Sequence, residues 1–457
     1  MKISRATLSL PVLMLTSCLM GPDYLGPQDT TLPSTWVNAL PPGTDTYTLT
    51  TWWQSFNDAQ LTSLIESAFK ANPDMITAAL TISKAESALR STQSGLFPSV
   101  GINFGGSNSG SFDTSVSHGR WSGGLSASWT PDIWGGTRRQ VEAAFANLGS
   151  ATAAANATRA ALASGIASAY FEWISAGESL RIAREQLEYQ ERTYAITAKR
   201  HGVGMDSSLD LAEARATIAS TRAQIPALEA NIRKCENTLA TYLGTTVDTV
   251  NLKMPAAGVY NLIPRVPTGL PSDLLRRRPD IIRAEHELHA ATASIGVNVA
   301  NLFPRLSLTG STSSGSGSDF AHFFSNSTWS LGASVSQTLL NRVSLNESVK
   351  QAELQQEAAM QSYRKTVLAA FAEVEGCLID YARLTNQLPE YAASCAANKE
   401  AARLSLERYN AGEGEFLNVA ASERAWLTAE LNLITTRQQI RMTLARLCTA
   451  LGGGWEK

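Results

Sequence analysis

The sequence predicts a mixed but mainly α protein made of two copies of one unit, each carrying a small β part. Three observations predict it. Landmarks recur in order at a nearly constant offset. A stretch from Gly136 to about Arg200 holds no proline and is rich in Ala, Ser and Thr. Four short runs alternate apolar and polar residues around Gly/Ser-rich segments. Composition agrees. In 457 residues, 44% are hydrophobic and only 17% are charged, with a net charge of -2. Charge near 25% is usual, so helices this poor in charge and in Leu are not those of a compact, Leu-packed globule. No basic block or stripe is present, so a nucleic-acid partner is not expected. Five cysteines without a CxxC pair exclude a disulfide scaffold and the common zinc modules; no metal is expected, and no cofactor beyond a covalent lipid on Cys18.

The elements follow in chain order. Residues 1–17 read as a secretory signal, with Lys2 and Arg5 ahead of a short apolar stretch, Thr7 to Leu15. That stretch is too short to span a bilayer, which takes about 20 residues. It ends in Leu15-Thr16-Ser17-Cys18, a bacterial lipoprotein cleavage pattern in which Cys18 becomes the lipidated first residue. The competing reading is an ordinary signal peptide with a chance cysteine. Residues 18–56 then form a linker.

Pro73-Asp74 and Leu96-Phe97-Pro98 recur as Pro279-Asp280 and Leu302-Phe303-Pro304, both at an offset of 206. Trp121-Ser122 answers to Trp329-Ser330, and Leu243-Gly244 to Leu451-Gly452, both at 208. Gly202-Val203-Gly204 pairs with Gly412-Glu413-Gly414 at 210. The two repeats span 57–244 and 272–452, joined by 245–271 and followed by a 453–457 tail. Each opens with a helix (about 57–94 and 272–301) followed by two strands. Val100 to Phe104 and Leu125 to Trp129 flank a loop from Gly105 to Gly119. Leu306 to Leu308 and Trp329 to Val335 flank a loop from Gly310 to Ser327.

The long helix after Gly136 would run roughly 95 Å at 1.5 Å per residue. Its seam has one column through Val141, Leu148, Ala155, Leu162, Ala169, Ala176 and Ala183. A second runs through Phe145, Thr152, Arg159, Ile166, Trp173, Leu180 and Leu187. Spacing of 3.5 with small residues means lengthwise, close helix packing. Val367, Phe371, Val374, Leu378 and Tyr381 repeat it in the second unit. Pro226 and Pro389 are expected to kink or break their helices.

Four strands of membrane-barrel length cannot close, and an open edge in lipid is not viable. Pooling three copies gives 12 strands; six copies would also close. Two soluble hairpins on a helical scaffold are the alternative. A tube wall one helix thick, wet on both faces, accounts for the small seam residues.

Enzyme chemistry finds no constellation. His286-Glu287-Leu288-His289 is not HExxH and has no third ligand. Ser362-x-x-Lys365 has no SDN or KTG companion. Cys235, Cys377, Cys395 and Cys448 read as small buried residues.

Three strings carry a family resemblance. They are Gly21-Pro22-Asp23-Tyr24, then Trp52-Trp53-x-x-Phe56-x-Asp58-x-x-Leu61-x-x-Leu64-Ile65, and the block Gly269-Leu270-Pro271-Ser272-Asp273-Leu274-Leu275-Arg276-Arg277-Arg278-Pro279-Asp280-Ile281, continuing through Ala284-Glu285-His286. The chain resembles the TolC-like outer-membrane efflux factors, in the lipoprotein (OprM/NodT-type) branch. The resemblance implies a homotrimer with a long coiled-coil helical barrel in the periplasm and a 12-stranded β-barrel pooled from four strands per protomer. It implies an outer-membrane channel, lipid-anchored, partnered by a periplasmic adaptor and an inner-membrane pump, and exporting drugs, metals or other small molecules. The alternative transport role is type I protein secretion. A purely structural periplasmic lipoprotein is a further alternative.

The helix-hairpin tips would form the periplasmic entrance and the adaptor contact, through Gly202, Val203, Gly204, Gly412, Glu413 and Gly414. Related proteins close the entrance with an Asp–Arg pair just after the second tip. Arg424 matches the Arg, but Ala421 stands in place of the Asp. The expectation is that Asp210, Glu413 and Glu415 supply the acidic entrance and pair with Arg424. Ser208-x-Asp210 reads equally as a helix cap.

Overall fold

The computed structural model describes residues 19–27, 33, 35–38, 49–110, 117–255, 271–316, 327–340 and 342–455. The signal, Cys18 and most of the inter-repeat segment lie outside them. The helices are α1 (Ala59–Ala71), α2 (Pro73–Ser94), α3 (Gly136–Gly202), α4 (Ser208–Tyr242), α5 (Leu274–Arg277), α6 (Pro279–Ala300), α7 (Arg342–Asn410) and α8 (Phe416–Ala450). The strands are β1 (Ser99–Gly110), β2 (Ser117–Trp129), β3 (Arg305–Ser316) and β4 (Ser327–Ser336).

The repeated Pro-Asp landmark marks a helix break in both units. A residue before proline is pushed out of the α region, and proline itself suits the first helical position. Asn72 is accordingly extended at φ -65, ψ 130, and α2 starts at Pro73. Its side chain accepts from the amides of Asp74 (2.7 Å) and Met75 (3.3 Å). Arg278 repeats this at φ -82, ψ 118 before Pro279. The expected single helices at 57–94 and 272–301 are therefore each divided there.

The chain forms two compact units. One comprises Thr81–Thr152, Arg283–Arg364 and the N-terminal segment to Thr30. It holds one antiparallel sheet in the order β1-β2-β3-β4, with Ser99 opposite Ser128, Trp121 opposite Ser316 and Leu306 opposite Val335. The strands extend far into segments read from the sequence as loops. Gly, Ser and Asn are poor strand formers alone, but here the ladder pairs the backbone groups that face a neighbouring strand. Val100, Ile102 and Phe104 stand exposed at alternate positions of β1, as do Trp329, Leu331 and Val335 on β4.

In the same unit the leader is clamped. Buried Arg139 donates to the carbonyl oxygens of Met20 (3.1 Å) and Gly21 (3.3 Å), and to Asp23 (2.6 Å) and Glu142 (2.7 Å). Glu142 also meets His289 Nε2 at 2.9 Å, and the His289 ring stacks on Tyr24 at 4.4 Å. These contacts give His289 a packing role.

The other unit comprises Thr31–Leu80, Ala153–Ile282 and Lys365–Lys457. Trp52, Leu61, Ile65, Ile166, Phe171, Leu239 and Leu444 are fully buried there. Asp58 caps α1, accepting from the amides of Gln60 (2.8 Å) and Leu61 (3.0 Å). Arg278 bonds Asp280 (2.7 Å), Glu373 (2.8 Å) and the Ala450 carbonyl (2.8 Å), which ties the Arg-Pro-Asp block to α7 and α8. The α3 seam is buried at Leu162, Ile166, Ala169, Trp173, Ala176, Leu180 and Ala183, but Leu187 is only half-buried. In the sheet-bearing unit Phe145, expected in the seam, is exposed. Pro226 and Pro389 break nothing: α4 and α7 run through them, each giving up one amide donor within a helix held by its neighbours. Among the described residues, no helix is long and apolar enough to cross a membrane.

Candidate functional site

Both hairpin tips close the same way. After α3, Gly204 N donates to His201 O (3.0 Å) and Met205 N to Arg200 O (2.9 Å). After α7, Gly412 N donates to Tyr409 O (3.0 Å) and Glu413 N to Arg408 O (2.9 Å). This pair of bonds requires a left-handed residue just past the helix. Gly204 (φ +77) and Gly412 (φ +81) supply it. Structurally Gly204 thus matches Gly412, an offset of 208 that agrees with the flanking landmarks rather than the 210 read from the glycine triplets. Val203, Met205 and Leu209 on the first tip and Leu417 beside the second expose their apolar side chains.

The gate candidates are placed as follows. Asp210 closes a capping box with Ser207, not Ser208. It accepts from the Ser207 amide (2.9 Å) and hydroxyl (2.7 Å), while its own amide donates to Ser207 Oγ (3.2 Å). Glu413 and Glu415 are exposed, and Glu415 precedes α8 without making a side-chain cap bond. Arg424 is exposed and, among the described residues, makes no ion pair within the protomer. Asp210 and Arg424 form no ion pair with each other within one chain, among the described residues.

A different group joins the two tips. Arg200 Nε lies 3.1 and 3.0 Å from the two Asp206 carboxylate oxygens. Its Nη1 donates to the Tyr409 carbonyl at 2.6 Å, and its guanidinium sits 4.6 Å from the Tyr409 ring centroid. The Tyr409 hydroxyl donates to Asp206 and lies 3.0 Å from Thr197 Oγ1. Tyr409 is fully buried in an apolar cluster with Ala214, Phe416, Val419 and Ala420. Burial and the Asp206 bond push its hydroxyl up to about 12. Sequence reasoning missed this clasp, because Asp206 and Tyr409 lie in different repeats. The one available signal was the acid directly after the first turn.

Toward this end of α3 the buried column turns polar, through Gln186, Gln190, Thr193 and Thr197. Glu423 of α8, only 2% exposed, lies 3.0 Å from Thr193 Oγ1.

A family model described as outer membrane efflux protein matches residues 64–245 and 270–453. The pyoverdine export outer membrane protein OpmQ of Pseudomonas aeruginosa is 31% identical over 471 residues, covering 100% of this chain and 98% of its own. The cation efflux system protein CusC of Escherichia coli is 31% identical over 460 residues, covering 97% of each. Among solved structures, the outer-membrane channel OprN superposes with a TM-score of 0.88 at 28% identity, covering 96% of this chain and 100% of its own. The open-state MtrE channel of Neisseria gonorrhoeae superposes with a TM-score of 0.86 at 27% identity, covering 96% and 99%.

Proposed function

Since the chain belongs to the outer membrane efflux protein family, we propose that three copies pool their sheets into one 12-stranded barrel, continued by the helices into the periplasm. The protein is an outer-membrane efflux channel and not an enzyme. Channels of this family work with an adaptor and an inner-membrane pump. The observation that carries the trimer is the four-stranded sheet. Its terminal strands β1 and β4 have no second neighbour among the described residues, and they carry the exposed alternating apolar side chains. Lipid supplies no hydrogen bonds, so those edges need strands from other copies.

In this reading Cys18 carries the lipid anchor. The tips, with Gly202, Val203, Gly204, Gly412, Glu413 and Gly414, meet the adaptor. Asp210, Glu413 and Glu415 ring the entrance in threefold and favour cations, and Arg424 pairs across protomers rather than within one. The Arg200–Asp206–Tyr409 clasp holds the two tips of each protomer as one body. The cargo is small molecules chosen by the pump, in line with relatives named for pyoverdine export, toluene efflux and cation efflux. Planar-bilayer recording of the lipidated protein tests the reading. Stepwise conductance is expected, larger in Arg424→Ala. A protein that inserts but never conducts contradicts it.

A further inference from the structure

The α8 face that packs at the tip presents Phe416, Val419, Ala420 and Glu423 at helical spacing. The first three belong to the apolar cluster and the fourth is a buried carboxyl. No ion pair to Glu423 exists among the described residues. Facing groups on α3 are the Tyr189 ring and Thr193; Gln190, on the same column, is neutral. On α7, Glu407 acts on Tyr189 and Lys399 lies over the Trp426 ring at 5.5 Å. On α8 itself Arg424 is exposed, and Glu430 accepts from Trp426 Nε1 at 3.0 Å.

The hydrogen bonds count protons. Thr193 Oγ1 lies 3.1 Å from the Tyr189 carbonyl oxygen and 3.0 Å from Glu423 Oε1. A hydroxyl has one hydrogen and cannot serve two acceptors. With a proton on Glu423 both bonds are made: the carboxyl donates to Thr193, and Thr193 donates to Tyr189. Without that proton Thr193 can serve only one of the two acceptors, and the buried charge is left with at most one neutral donor and no ion pair among the described residues.

We propose that Glu423 is a proton-operated latch between α3 and α8, closed when the carboxyl is protonated and released when it ionises. The geometry agrees with its titration. Burial, outweighing the Thr193 bond, pushes Glu423 from 4.5 up to about 7. The packed state therefore holds the proton more tightly than the opened one. The seam is firmest below about pH 4.5 and weakens as pH rises toward 7. It is then constant, because both states are ionised. One turn from the tip cluster, this release loosens the entrance as periplasmic pH rises, a step that rests on the tips being the entrance.

The test is hydrogen exchange of α8 amides 419–428 in the assembled protein, corrected for intrinsic rates, between pH 6 and 8. Wild type should open about tenfold more often at pH 8 than at pH 6. Glu423→Gln, which keeps the shape and cannot ionise, should be flat. Equal slopes in the two proteins, or a flat wild type, overturn the latch. If the glutamine variant does not assemble, the wild-type profile decides alone: most of the rise should fall between pH 6 and 7, and a rise as steep from pH 7 to 8 overturns the latch. Bilayer conductance recorded in parallel separates the two readings. Exchange that responds to pH without a change in conductance keeps the latch and refutes the tips as entrance.

Discussion

Asp206→Asn probes the clasp between the tips. The Asp206 side chain is 7% exposed and that of Arg200 is 17%, so water replaces little of what is removed. The carboxylate accepts from Arg200 Nε through both oxygens and from the Tyr409 hydroxyl. Hydrogen bonds to a charged group are each worth about 1.5–3 kcal/mol. Asparagine keeps one acceptor oxygen but removes the charge opposite Arg200. A loss of about 3 kcal/mol follows, a factor of about 150 in local opening. Hydrogen exchange of amides 197–206 and 406–413 reads that opening directly. Tyr409→Phe removes the other partner, and a double-mutant cycle should give about 1 kcal/mol of coupling, because both act on one carboxylate. Exchange within threefold of wild type, or coupling under about 0.3 kcal/mol, would refute the clasp.

Two further outcomes are expected. Gly204→Ala and Gly412→Ala should each cost about 1–2 kcal/mol at their tip, since both glycines have positive φ, whereas Gly202→Ala, at a helical position, should be neutral or slightly stabilising; protease nicking at the tips ranks the three. Asp280 is half-buried, which alone would raise it, but the bonds and charge of Arg278 hold its carboxyl below the usual range. Its contribution is present above about pH 3.8 and lost as pH falls through the lower folded value. Asp280→Asn should therefore cost about 1 kcal/mol at neutral pH, screened because the carboxylate is partly exposed, and flatten the acid limb of a denaturation profile.

The duplication was legible because its markers are local. Proline at 73 and 279 biases the preceding residue out of the helix, and there the helix breaks. The glycines at 204 and 412 end helices for equally local reasons. The extent of the strands was not legible, since Gly, Ser and Asn between 105 and 110 become β structure only through the ladder with 117–122. Pro226 and Pro389 misled in the other direction, because packing along a long helix tolerates one missing amide bond. At the tip, the cap fell one residue from the place expected. Arg424 was proposed from a family motif and Asp210 from the tip sequence, but the contacts within the protomer belong to Arg200, Asp206, Tyr409 and Glu423. Of these, only two had a readable sign: Asp206 as the acid directly after the first turn, and Glu423, which continues the apolar spacing of Phe416, Val419 and Ala420.

The central claim is that one chain is a third of a closed barrel. Native mass spectrometry of the mature protein extracted from outer membranes tests it most directly. The account predicts a particle of three chains that survives mild detergent and falls to single chains on heating. A stable monomer, or a particle of six chains, would contradict it.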